Sequence, residues 1–212
     1  MTDEIRRIKA GDHRDLSFFD ALVLPDAGCF RSKGSHGCYK SHLQILKEAA
    51  DANETVLILQ DDCDFLPKIF DYKLPEKWDV FYGGYYADDP NDLQNTNIIG
   101  AHFMAFSVDA AKKASKYLED LLDPAFPPDP IGASAEGFNP AIRPPIDGSL
   151  VWFRRAHPEL ETIFALLSYQ RPSRTDLGIS QWLDRVPIMK QLSGLLRAGK
   201  RKALQLRYSI RQ

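Results

Sequence analysis

The stretch Thr55-Val-Leu-Ile-Leu59 carries no charge, is rich in strand-forming side chains, and stops abruptly at Gln60-Asp61-Asp62-Cys63-Asp64. So short and apolar a run suits a central strand covered on both faces. Before it, Leu43, Leu46, Ala49 and Ala50 recur at helical spacing and predict a helix over Tyr39 to Asn53. A helix feeding a doubly buried strand implies a layered α/β domain. In open sheets of this kind ligands bind beyond the carboxyl ends of the strands, where these carboxylates would stand.

The rest of the chain extends the pattern. Strands are expected at Trp78 to Tyr82, before the turn Gly83-Gly84, and at Gly100 to Ser107, with a polar loop from Ala87 to Asn97 between them. A helix from Val108 to Leu122 would be capped by Ser107 or Asp109. Residues 123–146 hold seven prolines and no clear period, which reads as a long loop of the kind that can cover a substrate. Ser149 to Phe153 fits a strand or a helix start, and His157 to Leu167 reads as a helix with Pro158 in its first turn.

At 212 residues, 44% hydrophobic and 26% charged, the chain can bury a sizeable core in one α/β domain. No apolar run reaches the roughly 18 to 20 residues that cross a bilayer, and Met1 to Arg7 lacks the apolar centre of a signal peptide. A cytoplasmic location is expected. Cys29, Cys38 and Cys63 are odd in number and form no C-x-x-C pair, so reduced thiols are expected rather than disulfides or structural zinc.

The net charge of −2 conceals an asymmetry. Residues 190–212 hold seven Lys or Arg and no Asp or Glu, leaving the first 189 residues with 20 basic against 29 acidic side chains. No nucleic-acid partner is expected of so acidic a body. The reading divides the chain into a domain at 1–187 and a basic helical tail at 188–212. On that tail Leu192, Leu196, Ala203, Leu206 and Ile210 fit one helical face, which could lie on anionic lipid at the inner face of a membrane. Packing of the tail against the acidic body is the other reading.

Clustered carboxylates repel unless a cation sits among them, and their hard oxygens suit Mn²⁺ or Mg²⁺ completed by water and substrate phosphates. A solvated turn after the strand is the plainer reading of Asp61 and Asp62. An ATPase is disfavoured, because Gly34-Ser-His-Gly-Cys-Tyr-Lys40-Ser41 has Tyr39 where a phosphate loop requires glycine.

Gly37-Cys-Tyr-Lys-Ser41-His42-Leu43, a helix, and then Val56-Leu-Ile-Leu-Gln60-Asp61-Asp62 together resemble the signature of glycosyltransferase family 25. That family pairs a Gly-Cys-aromatic-x-Ser-His-Leu segment with a strand ending in Glu-Asp-Asp. The likeness continues through Trp78 to Gly84, Gly100 to Ser107, Pro145-Ile-Asp147-Gly148 and Tyr169 to Asp176, so that it spans roughly residues 30–178.

The resemblance implies a GT-A-like (Rossmann-like) single α/β domain with a central, mostly parallel sheet. It further implies a UDP-sugar donor, often UDP-galactose, and inverting transfer to a hydroxyl of a lipooligosaccharide or other lipid-linked glycan. On the carry-over Asp62 is the first metal ligand, with Asp64 beside it, and Asp61 faces the donor. Gln60 stands where the family has Glu, and Met1 to Phe19 contains no Val-Ile-Asn-Leu-type first strand. Both departures suit a noncatalytic sugar-binding or scaffold member with a degenerate donor site, which is the rival reading.

Inverting transfer needs a base for the acceptor hydroxyl, and Asp147 is the candidate, with an Asp-Gly turn as the structural alternative. His42 falls where a helix-borne histidine packs or steadies a loop. His102 interrupts an apolar strand, either as a core histidine or as a substrate contact. Gln170, Arg171, Ser173 and Arg174 group amide, guanidinium and hydroxyl donors suited to a diphosphate or a sugar, or form a charged surface loop.

Overall fold

The computed structural model describes residues 17–171. Ser173, Arg174, the expected boundary at 187/188 and the basic segment 190–212 lie outside the described residues, as does the stretch 1–16.

The first helix, α1 (Lys33–Ala52), begins earlier than periodicity indicated. Ser32 caps it by accepting from the Ser35 N–H, and Asn53 closes it in the left-handed region at φ 56°. Gly34 to Cys38, ahead of the expected start at Tyr39, is therefore helical. Gly37 is needed there for another reason: a Cβ on it would stand 2.2 Å from the Leu22 carbonyl oxygen. One turn on, Ser41 Oγ accepts from the Leu22 N–H at 2.9 Å and donates to the Gly37 carbonyl at 2.8 Å. The i, i+4 pair of glycine and serine thus docks the extended segment before the helix. Gly37→Ala should displace that segment and cost about 1 to 3 kcal/mol in urea unfolding; an unchanged midpoint would show that the docking is not needed.

Then follow β1 (Val56–Leu59), β2 (Cys63–Phe65), a 3-10 turn at Pro67–Phe70, β3 (Val80–Tyr82), β4 (Tyr86–Ala87), β5 (Ile98–Ile99) and β6 (Phe103–Phe106). The helices α2 (Val108–Asp120), α3 (Pro130–Ala133) and α4 (Ile146–Ala156) precede β7 (Thr162–Phe164) and β8 (Ser168–Gln170). Ser107 caps α2, as expected, by accepting from the Ala110 N–H.

The central sheet runs in the order β1-β6-β3-β7. β6 pairs antiparallel with both β1 and β3, while β3 and β7 are parallel. β1, β3 and β7 share one direction, but reversed β6 stands among them, so the sheet is mixed rather than mostly parallel. The cause is the connection: between β3 and β6 lie only a small hairpin of β4 with β5 and a polar loop, with no helix to carry a parallel crossover. The parallel neighbour of β3 is β7, and the chain reaches it only after passing through α2 and α4.

The helix expected over His157 to Leu167 does not form. His157 ends α4, and Thr162 to Phe164 align with Val80 to Tyr82. Pro158 suggested a helix start, but Thr162, Ile163 and Phe164 are strand formers and the edge of β3 offered an open ladder. Ser149 to Phe153 proves helical, within α4.

Side-chain alternation splits the core into two. Ile58, Val80, Tyr82, Met104 and Phe106 pack under the three longer helices, whereas Phe81, Phe103 and Ala105 face Ile69 and Leu167 on the other side. The sheet is thus covered on both faces, but the strand at 56–59 is not central as its apolar run indicated: β1 lies at the sheet's edge, and of its four residues only Ile58 is buried. The proline-rich stretch is anchored rather than free: buried Arg143 donates to the Asp123 and Phe126 carbonyls, and Asp129 pairs with Arg155 at 2.8 Å.

Candidate functional site

β1 and β3 end on the same edge of the sheet, at Gln60 and at Gly83-Gly84. After Gln60 the chain turns, with the Cys63 N–H donating to the Gln60 carbonyl at 3.1 Å, and β2 leaves to pair antiparallel with β8. That pairing sets Cys63 opposite Gln170. Gln170 Nε2 donates to Asp62 Oδ2 at 3.0 Å, and the Arg171 N–H donates to the Asp62 carbonyl at 2.7 Å. Arg171 also donates from Nη2 to the Asp61 main-chain carbonyl at 2.8 Å, and its Nη1 lies 3.8 Å from Asp64 Oδ1. Two segments more than a hundred residues apart, 61–64 and 170–171, are one cluster.

The metal expectation meets a sparse donor set. Among the described residues no three His, Cys, Asp or Glu side chains gather as a metal-binding group. Asp64 has the Arg171 guanidinium within ion-pair distance, whereas Asp62 meets a neutral amide. Mg²⁺ and Mn²⁺ in diphosphate sites use one or two carboxylates and take the remaining ligands from water and phosphate. The cluster fits an ion carried by such a substrate, with Asp62 as its protein ligand, and does not fit a resident cage.

Beside this cluster lies a second group of titratable residues. Asp147 sits in the first turn of α4 rather than in a loose Asp-Gly turn, and its Oδ1 accepts from the Gly148 N–H at 3.1 Å. Burial raises its pKa above the usual carboxylate range, opposed by main-chain N–H donors that include Gly100 and by the nearby His42. His42 is fully enclosed, which lowers its pKa. Its Nδ1 donates to the Cys38 carbonyl at 3.0 Å, one turn back along α1, so the neutral ring carries its proton there. Nε2 has no partner in good hydrogen-bond geometry, although the Ala101 carbonyl is close enough to favour a protonated ring.

The Cys38 thiol joins the two groups. Burial pushes its pKa up to about 11, and the carboxylates of Asp147 and Asp62 both add to the rise. A thiol so poised is not a nucleophile at neutral pH. Its value is as a marker of place: Asp62 from the end of β1 and Asp147 from α4 both bear on one atom of α1.

A half-open pocket of about 110 Å³ adjoins the cluster, lined by Tyr85, Tyr86, Ile99, Gly100, His102, Tyr169 and Gln170. His102, just before β6, is buried there, which lowers its pKa to about 4. A Cβ on Gly84 would stand 2.2 Å from Ser168 Oγ and 2.4 Å from His102 Nε2, so glycine after β3 makes room for this pair.

Of the sequence candidates, Asp61, Asp62, Asp64, Gln170 and Arg171 form one cluster, Asp147 with His42 the second, and His102 the pocket floor. Sequence reasoning passed over the tyrosines and Ser168. The signal available was Gly83-Gly84-Tyr85-Tyr86, where a strand end with two glycines is followed by two aromatic rings. Comparison of the chain with protein-family models, with curated proteins and with solved structures finds no match.

Proposed function

We propose that the chain is a glycosyltransferase of GT-A-like architecture that moves a sugar, galactose on the family resemblance, from a UDP-sugar to a hydroxyl of a lipid-linked or other envelope glycan. The observation that carries this reading is the approach of Asp62 and Asp147 to the same thiol at the carboxyl edge of the sheet, next to a tyrosine-lined pocket. This supports the reading because two carboxylates on neighbouring elements, one to act as base and one on the phosphate side, would then stand where open α/β sheets hold their ligands.

In this reading Asp147 accepts the proton of the acceptor hydroxyl as its oxygen attacks the anomeric carbon from the face opposite the diphosphate. The anomeric carbon–oxygen bond breaks, and its electron pair leaves with UDP. A divalent ion held by Asp62 would offset charge on the departing diphosphate. Arg171 offers guanidinium donors on the same side. The basic segment 190–212 would keep the enzyme near a lipid-linked acceptor at the inner face of a membrane; among the described residues no helix is long and apolar enough to cross one.

A second reading, a noncatalytic sugar-binding member of the same family, is favoured by the sparse metal donors and by the engagement of Asp62 with Gln170. Calorimetry with UDP separates them. The transferase reading expects UDP to bind at least about tenfold more tightly with Mn²⁺ than with chelator, and expects Asp62→Ala to abolish the difference. Equal affinity in all three cases would remove the metal site at Asp62, and no binding of UDP in any of them would remove the donor site and leave the second reading.

A further inference from the structure

β1 ends the central sheet, and its outer side pairs with no other strand among the described residues. The Gln60 N–H donates to the His102 carbonyl at 2.9 Å, in register with Ile58 opposite Met104 and Val56 opposite Phe106. Antiparallel ladders bond every second residue, so Val56 and Ile58 turn their main-chain groups toward β6, while Leu57 and Leu59 turn theirs away from it. The N–H and C=O groups of those two leucines form no main-chain hydrogen bond among the described residues. Nor is the edge guarded. Its four residues are Val-Leu-Ile-Leu, with no lysine, no proline and no break in the register, and three of them stay partly exposed. A bare apolar edge of this kind is a template for one more strand.

Charge selects the occupant. Between Lys47 and Lys68 lie six Asp or Glu and no Lys or Arg, with Glu54 just before β1 and Asp61 just after it, both exposed. A second copy paired two-fold through the same strand would set acidic ends toward one another, which is destabilising. A fitting strand carries cations. Leu204-Gln-Leu-Arg-Tyr-Ser-Ile-Arg211 alternates apolar and polar residues at every step, with Arg207 and Arg211 on the polar side and no acid. No other eight-residue run outside the described residues does so. Leu206 and Ile210 also suit a helix, but a helix would turn Leu204 and Tyr208 to the side opposite Leu206, whereas a strand keeps all four together. We propose that residues 204–211 add to the open edge of β1 as a fifth strand of the central sheet, bonding the main chains of Leu57 and Leu59. Their eight positions match the eight from Glu54 to Asp61, so in either direction Arg211 comes beside an acidic end. The 32 residues between Arg171 and Leu204 can span roughly 100 Å, ample for the return. Lys190, Arg197, Lys200, Arg201 and Lys202 remain outside the added strand, so the membrane contact proposed above keeps its cations.

The test is amide hydrogen exchange on the full chain, read residue by residue by NMR, with molecular mass measured alongside by sedimentation. In a monomer, the Leu57 and Leu59 amides are expected to exchange on the order of 10²-fold or more slowly than an unpaired edge allows. Successive N–H groups of a strand point to opposite sides. Of Leu206→Pro and Arg207→Pro, made separately, one therefore removes a bond to β1 and should return both amides to fast exchange, while β3 and β6 keep their protection. Arg207→Glu combined with Arg211→Glu leaves every N–H in place and should speed exchange at Leu57 and Leu59 about tenfold or more at low salt. Unprotected Leu57 and Leu59 amides in the full chain overturn the proposal. So does protection that none of these variants weakens, since another segment then covers the edge, or protection that appears only with dimerisation, since a second copy then does. None of these readings involves UDP or sugar transfer, so the outcome is independent of the transferase reading.

Discussion

Asp147→Asn is expected to lower turnover roughly 10²- to 10⁴-fold while leaving UDP affinity unchanged, because it removes the proton acceptor and none of the phosphate-side groups. The substitution is mild for the fold. An asparagine oxygen can still accept from the Gly148 and Gly100 N–H groups that now hold the carboxylate. It also removes a charge whose burial is unfavourable: Asp147 is raised above its usual pKa chiefly by desolvation, with His42, Cys38, Tyr82 and the main chain of Gly100 around it.

The sign follows from linkage. Between the ordinary carboxylate value and the raised one, the folded protein holds a proton that the unfolded chain has lost. Stability contributed by Asp147 therefore falls as pH rises through that window. The Asp147→Asn variant should lack this fall and be as stable as the parent, or more so, above it. Activity runs the other way: the ionised base is needed, so the acid limb of kcat should lie above the ordinary carboxylate range. Normal turnover in the variant would exclude Asp147 as the base, and parallel loss of turnover, UDP affinity and Tm would make it structural.

Arg154→Met should destabilise the fold by about 3 to 5 kcal/mol, the largest stability effect expected of any single change outside the site. Arg154 is 1% exposed, and its hydrogen-bond acceptors are main-chain carbonyls and a phenol. It donates to the carbonyls of Leu93, Gln94 and Thr96 and to the Tyr82 hydroxyl at 3.1 to 3.3 Å, with the Tyr82 and Phe164 rings beneath it. Together with Arg155, which donates to the Asn95 carbonyl, this planar cation pins the polar loop 88–97 onto the helix face of the sheet. Methionine fills part of the volume but leaves those carbonyls without their donors. Lysine should rescue little, since a point charge on a flexible stem cannot serve diverging acceptors. Denaturant unfolding measures the loss, and hydrogen exchange locates it: amides of 88–97 should lose protection before those of β3 and β6. Uniform loss across the sheet would show Arg154 to be a core residue without a special hold on the loop.

The loop illustrates what no periodicity contains. Its polarity was legible, but its anchor is a cation some 60 positions away on α4, visible only once α4 lies over β3. The helix expected at 157–167 failed for a related reason. Local signals there were ambiguous, and the vacant edge of β3 decided for a strand. The direction of β6 turned on the absence of a crossover helix, a property of the connection rather than of the strand.

Sequence by itself determined that 56–59 is a strand, its acidic end, the helix before it and the Ser107 cap of α2, but not that the strand lies at the sheet's edge. Each depends on side chains adjacent along the chain, where apolar period and capping chemistry act directly. It also named most of the polar residues at the site. Only the tertiary structure decided how they group: Gln170 on Asp62, Arg171 on Asp61 and Asp64, Asp62 and Asp147 about Cys38, and His102 against Ser168. Apart from Asp62 with Cys38, those contacts join residues 66 to 110 positions apart, or depend on burial that raises the pKa of one carboxyl and lowers that of one imidazole. Burial and long-range pairing are products of packing, and no window along the chain contains them.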